Sequence, residues 1–255
     1  MALVDGSTLL VLGPNAWFLL AVLLVLAAVV WRSALGRSPA QMVLAGARAL
    51  LQLAAVALLI AWLSDKGALA FAFVGLMFLV GVWTSGHRVV ADGRWWLAAI
   101  PLAAAVAPVA ALMFAFGVLP FNALAIIAVL GQQIGGAMST VTLAGRRIRD
   151  ELALRGGEVE AAVALGFQWP PARFMVAKPV AGEAMLPSVD QTRTAGLVTL
   201  PGAFVGMILG GAAPLDAGII QLLVLVSLLL VNSVAAASTL WLSCAGAWKR
   251  EGVAA

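Results

Sequence analysis

About seven stretches of this chain are apolar for long enough to cross a lipid bilayer, and this restricts the possible folds more than any other feature. A crossing helix needs roughly 20 apolar residues. The candidates are Asn15–Trp31, Met42–Leu63, Leu69–Trp83, Trp95–Phe116, Phe121–Ala144, Ala195–Ala213 and Gly218–Trp248; the third is short and the last is long. Lipid offers backbone groups no hydrogen bonds, so such runs cross as helices that satisfy their own N–H and C=O groups. The expected fold is therefore an all-α polytopic membrane protein, with residues 1–255 forming one transmembrane domain. At 64% hydrophobic and 10% charged residues, the chain is far from the roughly 25% charge of soluble domains.

The placement of charge tests that division. Arg32, Arg37 and Arg48 fall in the first connection, and Arg88 and Arg94 in the third. Arg146, Arg147, Arg149, Arg155, Arg173, Lys178 and Arg193 fall in the fifth, and Lys249 and Arg250 follow the last span. Of the basic residues only Lys66 lies on the opposite side, with Asp5, Asp65 and Asp216. Basic connections stay cytoplasmic, so the N-terminus is expected outside and the C-terminus inside. Adding or removing one span would destroy the alternation. The formal charge of +4 is thus a topology signal, and no nucleic-acid partner is expected. The first residues lack a basic n-region and a cleavage site, so no cleaved signal peptide is expected. The single cysteine, Cys244, excludes an intramolecular disulfide.

The fifth connection, residues 146–194, is the one substantial polar segment, and so long a loop is usually functional or disordered. Within it, Glu158–Gly166 has a short helical pattern, with Val159, Ala162, Val163 and Gly166 on one face and Gly166 placed as a C-cap. Trp169-Pro170-Pro171 opens a second amphipathic run, Ala172–Met185, that leads to Pro187. Such a helix between turns suits the groove of a partner protein. The pattern equally suits a helix lying on lipid headgroups.

The residues here resemble a known family. Glu160-Ala161-Ala162-x3-Gly166, followed by Phe174 and Leu186-Pro187, resembles the coupling loop of ABC-transporter permeases. Pro187-Ser188-Val189-Asp190, then Arg193 through Gly202, Gly206, Ile208-Leu209, Gly211, Pro214 and Gln221, is similar to the FetB (YbbM) permeases, implicated in bacterial iron export, and to plant permeases of aluminium tolerance. Arg48-Ala49-x2-Gln52-Leu53 and Gly135-x-Ala137-Met138 are weaker matches in the same order. The resemblance implies a non-enzymatic transport subunit of the cell membrane, exporting iron or another metal ion or complex. It also implies a homodimer and a separate cytoplasmic ABC ATPase that binds ATP and Mg, leaving this chain without a cofactor. Glu160, Ala161, Ala162 and Gly166 would dock on that ATPase. The family pattern has Asn where this chain has Gly136 and Met-Met where it has Ala203-Phe204. The resemblance therefore assigns no metal ligand to this chain.

Pro201-Gly202 falls inside the sixth apolar run, where proline removes a helix hydrogen bond and calls for a kink or hinge. Gly202-x3-Gly206-x3-Gly210 and Gly131-x3-Gly135-x3-Ser139 each put small residues on one face, which suits close packing within one subunit or a contact between two. Polar residues inside spans are costly and so are candidates for function. Gln52, Gln132, Gln133, Thr140, Thr142, Gln221 and Asn232 qualify. Gln132 and Gln133, beside Met138, form the expected polar patch on the pathway, with Gln52, Gln221 and Asp190 as further candidates. Asp190 is also spaced to pair with Arg193. No Walker-type phosphate loop, catalytic triad or HExxH stretch is present.

Overall fold

A computed structural model describes residues 13–63, 67–90 and 93–248. Asp5, Asp65, Lys66, Lys249 and Arg250, used above for topology, lie outside these residues. The described chain is helical: α1 (Pro14–Ser33), α2 (Ala40–Leu63), α3 (Gly67–Val89), α4 (Ala99–Ala115), α5 (Ala123–Leu154), α6 (Gly156–Ala164), α7 (Trp169–Glu183), α8 (Leu186–Thr194), α9 (Gly202–Leu209) and α10 (Pro214–Cys244). The sole β pairing among the described residues is an isolated bridge between Ala195 and Thr199. Six helical stretches are long and apolar enough to cross a membrane: Asn15–Ser33, Ala40–Ile60, Leu69–Val89, Trp95–Ala115, Ala123–Leu154 and Pro214–Cys244.

The core is built where α3, α4, α5 and α10 meet. Small residues let these helices approach: Ala98, Ala105, Ala137 and Ala235 are fully buried among Leu102, Ile126, Val141 and Val231. Gly86 marks the tightest approach. A Cβ there would lie 2.2 Å from the Trp95 carbonyl oxygen, so the end of α3 meets the 3-10 turn Trp95–Ala98 only because residue 86 has no side chain. By contrast, α1 and α2 pack on one another and expose nearly all of their apolar surface. In lipid that surface needs no protein cover.

The sixth expected span is built differently from the other six. Ala195–Ala213 is not one kinked helix. Residues 195–201 form a turn, Pro201 caps the start of the eight-residue α9, and Gly210-Gly211 ends it, with Gly211 at φ +92°. Contacts along α10 show what this broken segment does. Ala177, Ala181 and Ala184 cluster with Leu240 and Cys244, Ser188 bonds Asn232, and Phe204 lies beside Gly218. From residue 240 to 218 a helix rises about 33 Å, the thickness of a bilayer core. The crossing is therefore made jointly by the end of α7, by α8, by the turn and by α9. It starts well before the apolar run does.

Candidate functional site

The expected polar loop is itself mostly helix. α5 continues past the apolar run to Leu154, and Arg155 joins it to α6. Arg155 pairs with Glu151 behind it and Glu158 ahead of it, which holds the Glu158 carboxyl below its ordinary value. α6 ends as its sequence requires. Gly166 takes φ +99°, its N–H bonds the Val163 carbonyl, and the Phe167 N–H bonds that of Ala162. This pair of bonds closes a helix through a left-handed residue, a conformation that favours glycine. Val159 is buried and packs with Ala162 and Val163 against Ala172 and Val176 of α7. Glu160 and Ala161 are exposed, as are Leu165 and Phe167 just beyond. α7 in turn is clamped to α5 and α10 by its alanines and by an ion pair between Arg147 and Glu183. A firm connection therefore runs from the exposed face of α6 into the membrane-spanning core.

That connection leads to a cavity of about 360 Å³ between α5, α8 and α10. α5 contributes Gln132, Gly135, Gly136, Ser139 and Thr140; α8 contributes Pro187, Ser188 and Gln191; α10 contributes Leu228 and Asn232. Asn232 is 3% exposed, its Nδ2 donates to the Ser188 Oγ at 2.6 Å, and its Oδ1 has no partner among the described residues. A buried acceptor without a donor is costly, so a site or solute hydrogen bond is expected there. Gly136 leaves room beside it: a Cβ at that position would come within 3.0 Å of the Asn232 Oδ1 and 2.9 Å of Leu228 Cδ2. The lining is amide, hydroxyl and apolar, with no carboxylate, thiolate or imidazole. Among the described residues no cluster of His, Cys, Asp or Glu could hold a metal ion.

The expected pathway residues separate. Gln132 lines the cavity. Gln133, adjacent in sequence, is not part of the lining: it is 1% exposed in the contact between α5 and α10, and its Nε2 donates to the Ser227 Oγ at 2.6 Å. Met138 is half-buried outside the cavity, Gln221 is buried in α10, and Gln52 is exposed on α2. Asp190 is on α8 beside the lining residues and pairs with Arg193 at 3.9 Å, both largely exposed. The glycine rows also divide. A Cβ at Gly131 would strike Met77, whereas Gly135 opens onto the cavity, and Cβ atoms at Gly202 and Gly206 would meet nothing. The residues that sequence reasoning passed over as site members are Asn232, Thr140, Ser188 and Gln191. Asn232 and Thr140 were visible only as costly polar residues. Ser188 and Gln191, three apart on a polar helix, gave no sign of lying at membrane depth.

A bundle of apolar helices beside a cavity lined by amide, hydroxyl and apolar groups, with a broken segment as one wall, defines a multi-pass membrane protein. The chain belongs to the family described as "Uncharacterised protein family (UPF0014)", whose family model matches residues 15–247. It is 33% identical over 189 residues to the UPF0014 membrane protein STAR2 of Oryza sativa subsp. japonica, covering 72% of this chain and 66% of that one. It is 29% identical over 202 residues to the Protein ALUMINUM SENSITIVE 3 of Arabidopsis thaliana, covering 78% and 73%. With the probable iron export permease protein FetB of Escherichia coli it shares 28% identity over 119 residues, covering 47% and 46%. No solved structure matches the chain.

Proposed function

We propose that this chain is the membrane-spanning permease subunit of an ATP-driven ABC transporter that exports iron or another metal ion or complex. It works as a homodimer with two copies of a cytoplasmic ATPase, which carries the ATP and Mg. Its N-terminus faces outside and its C-terminus the cytoplasm, as the basic connections require. The observation that carries the reading is the α5/α8/α10 cavity with its unpartnered Asn232 amide oxygen, joined through α7 to the exposed face of α6. The likeness to a probable iron export permease supplies the substrate class.

The chemistry of the lining refines that class. Neutral amide and hydroxyl oxygens are poor competitors for a bare transition-metal ion against water or chelators. They are well suited to hydrogen-bond the water or ligand shell of an ion that keeps it. Weak, shared contacts also allow release. When the ATPases close, they displace α6; α7 carries the movement to α8, which is one wall of the cavity. Binding can bias this change only as far as it differs between the two states, so Glu160 and Ala161 must contact the ATPase differently in each.

The test is reconstitution of the chain with its ATPase in proteoliposomes. Iron-stimulated ATP turnover and iron transport are expected. Asn232→Leu lowers iron stimulation about tenfold, a loss of about 1.4 kcal/mol, while unstimulated turnover persists. Glu160→Arg and Gly166→Pro leave membrane insertion intact and abolish transport-linked ATP hydrolysis. Turnover stimulated by a sugar nucleotide and by no metal would overturn the substrate assignment. Full stimulation in both α6 variants would overturn the docking assignment.

A further inference from the structure

Between Ser188, bonded to Asn232, and Phe204, beside Gly218, the broken crossing traverses the height of fourteen α10 residues, about 21 Å. At the centre of this stretch is the 195–201 turn. Gly196 takes φ +87°, its N–H bonds the Thr199 carbonyl, and the N–H groups of Leu197, Val198 and Thr199 all converge on the Thr194 carbonyl. The carbonyls of Gly196, Leu197, Val198 and Leu200 accept no backbone hydrogen bond among the described residues. Leu197 is 93% exposed and Val198 78%. The face of α9 that carries Gly202 and Gly206 is also open, since a Cβ at either would meet nothing within 4 Å. On the other flank, Asp190 and Arg193 expose most of their surface.

Lipid cannot be what this surface meets. Irregular backbone with unpaired carbonyls survives at membrane depth only when protein covers it or when it lines a water-filled path. An ion pair at that depth carries the same requirement. Ser188 and Gln191 of α8 line the cavity, and the turn follows α8 toward the Gly218 end of α10, so a path leaving the cavity in that direction runs beside the turn. Leu197 and Val198, the most exposed side chains of the turn, are then large apolar groups beside that path. A hydrophobic constriction of this kind closes a pore by shedding its water.

We propose that the 195–201 turn is the gate of the transport pathway: Leu197 and Val198 from two copies of the chain meet across a two-fold axis and form an apolar constriction at the Gly218 side of the cavity. The proposal rests on the permease reading and adds the gating residues to it. A two-fold contact brings the same patch of both copies together. The open glycine face of α9 lets two backbones approach closely, and the Asp190–Arg193 pair brings no net charge to the interface. With the basic connections cytoplasmic, the gate lies on the outer side of the cavity.

Two variants of the full chain, reconstituted with its ATPase, test this. Leu197→Cys in a Cys244→Ala background should form a disulfide-linked dimer on mild oxidation and react with a water-soluble methanethiosulfonate reagent. Leu197→Ser should raise ATP-independent potassium leak about tenfold while each subunit stays folded, because Leu197 packs on nothing within its own chain. Reaction with lipid-soluble maleimide alone, without dimer, would overturn the proposal by showing that the turn faces lipid. Cross-linking to a different protein, or a tight Leu197→Ser pore, would overturn it as well. The permease reading is separable. Cross-linking and leak without any ATP-coupled transport leave the gate standing and refute the ABC assignment; iron-stimulated turnover without either does the reverse.

Discussion

α10 crosses in 31 unbroken residues and buries one face against α4 and α5, while the segment alongside it crosses as the end of α7, α8, a turn and α9. Neither α8 nor α9 buries a single residue. α10 buries thirteen, among them Ala217, Leu225, Val231 and Ala235. Both travel the same height. The difference shows what each crossing is for: α10 is held by what it packs against, and its neighbour is left with polar side chains and free carbonyls that only water, solute or another copy can satisfy. A rigid wall and an unfinished wall enclose the cavity between them.

The largest expected effect contrasts two glycines, one in each region. Gly86→Ala forces a Cβ onto the Trp95 backbone, where no flexible side chain end can yield. Overpacking of that kind costs about 3 kcal/mol, read as a lower unfolding midpoint in detergent and as poor expression. Gly206→Ala adds the same methyl to the open face of α9. It should leave the midpoint unchanged and weaken the Leu197→Cys cross-link. An equal loss of stability in both would erase the distinction between packed and unpacked crossings.

A smaller contrast concerns two buried amides. Gln133 and Asn232 each donate to one hydroxyl at 2.6 Å and each leave an oxygen without a partner, but only Asn232 lines the cavity. Gln133→Met keeps the side-chain volume and removes one interhelical bond, worth about 0.6 kcal/mol in a membrane. Transport by this variant should match the parent, unlike Asn232→Leu. Loss of iron stimulation in Gln133→Met with normal stability would extend the pathway into the α5–α10 contact at Gln133 and Ser227.

This division also explains what could be read from the sequence. The apolar runs and the alternation of charge marked α1 to α5 and α10, because a helix packed in lipid or in its own core must be apolar along its length. The Glu158–Gly166 helix and its glycine reversal were visible for a local reason, since both depend on residues within one turn of each other. The broken crossing was misjudged at its start. Hydropathy registered Ala195–Ala213 and passed over Ser188 to Arg193, because an apolar window presumes that whatever lies at membrane depth meets lipid. A wall facing water violates that presumption. Gln132 and Gln133 were grouped by adjacency, yet neighbours on a helix point about 100° apart, and only packing could show which one faces the cavity.

The smallest effect is expected at the junction where the unbroken α5 hands over to α6, the proposed lever. Glu158 is held by hydrogen bonds from the Arg155 guanidinium, which lower its pKa; slight burial opposes this and is outweighed. A carboxyl depressed on folding stabilises above its unfolded value, near 4.5, and that contribution disappears as pH falls through the lower folded value. The α5–α6 junction should therefore be insensitive to pH from neutrality down to that range and loosen only below it. Hydrogen exchange at the Val159 and Ala162 amides, corrected for intrinsic rates, reads this directly. Glu158→Gln should abolish the acid-dependent loosening and barely alter exchange at neutral pH, because the pair is solvent-screened and Arg155 keeps Glu151. Loosening that begins well above 4.5, or that survives in the Gln variant, would show that another group holds α6 to the bundle, and the lever would then have to be traced from α7 alone.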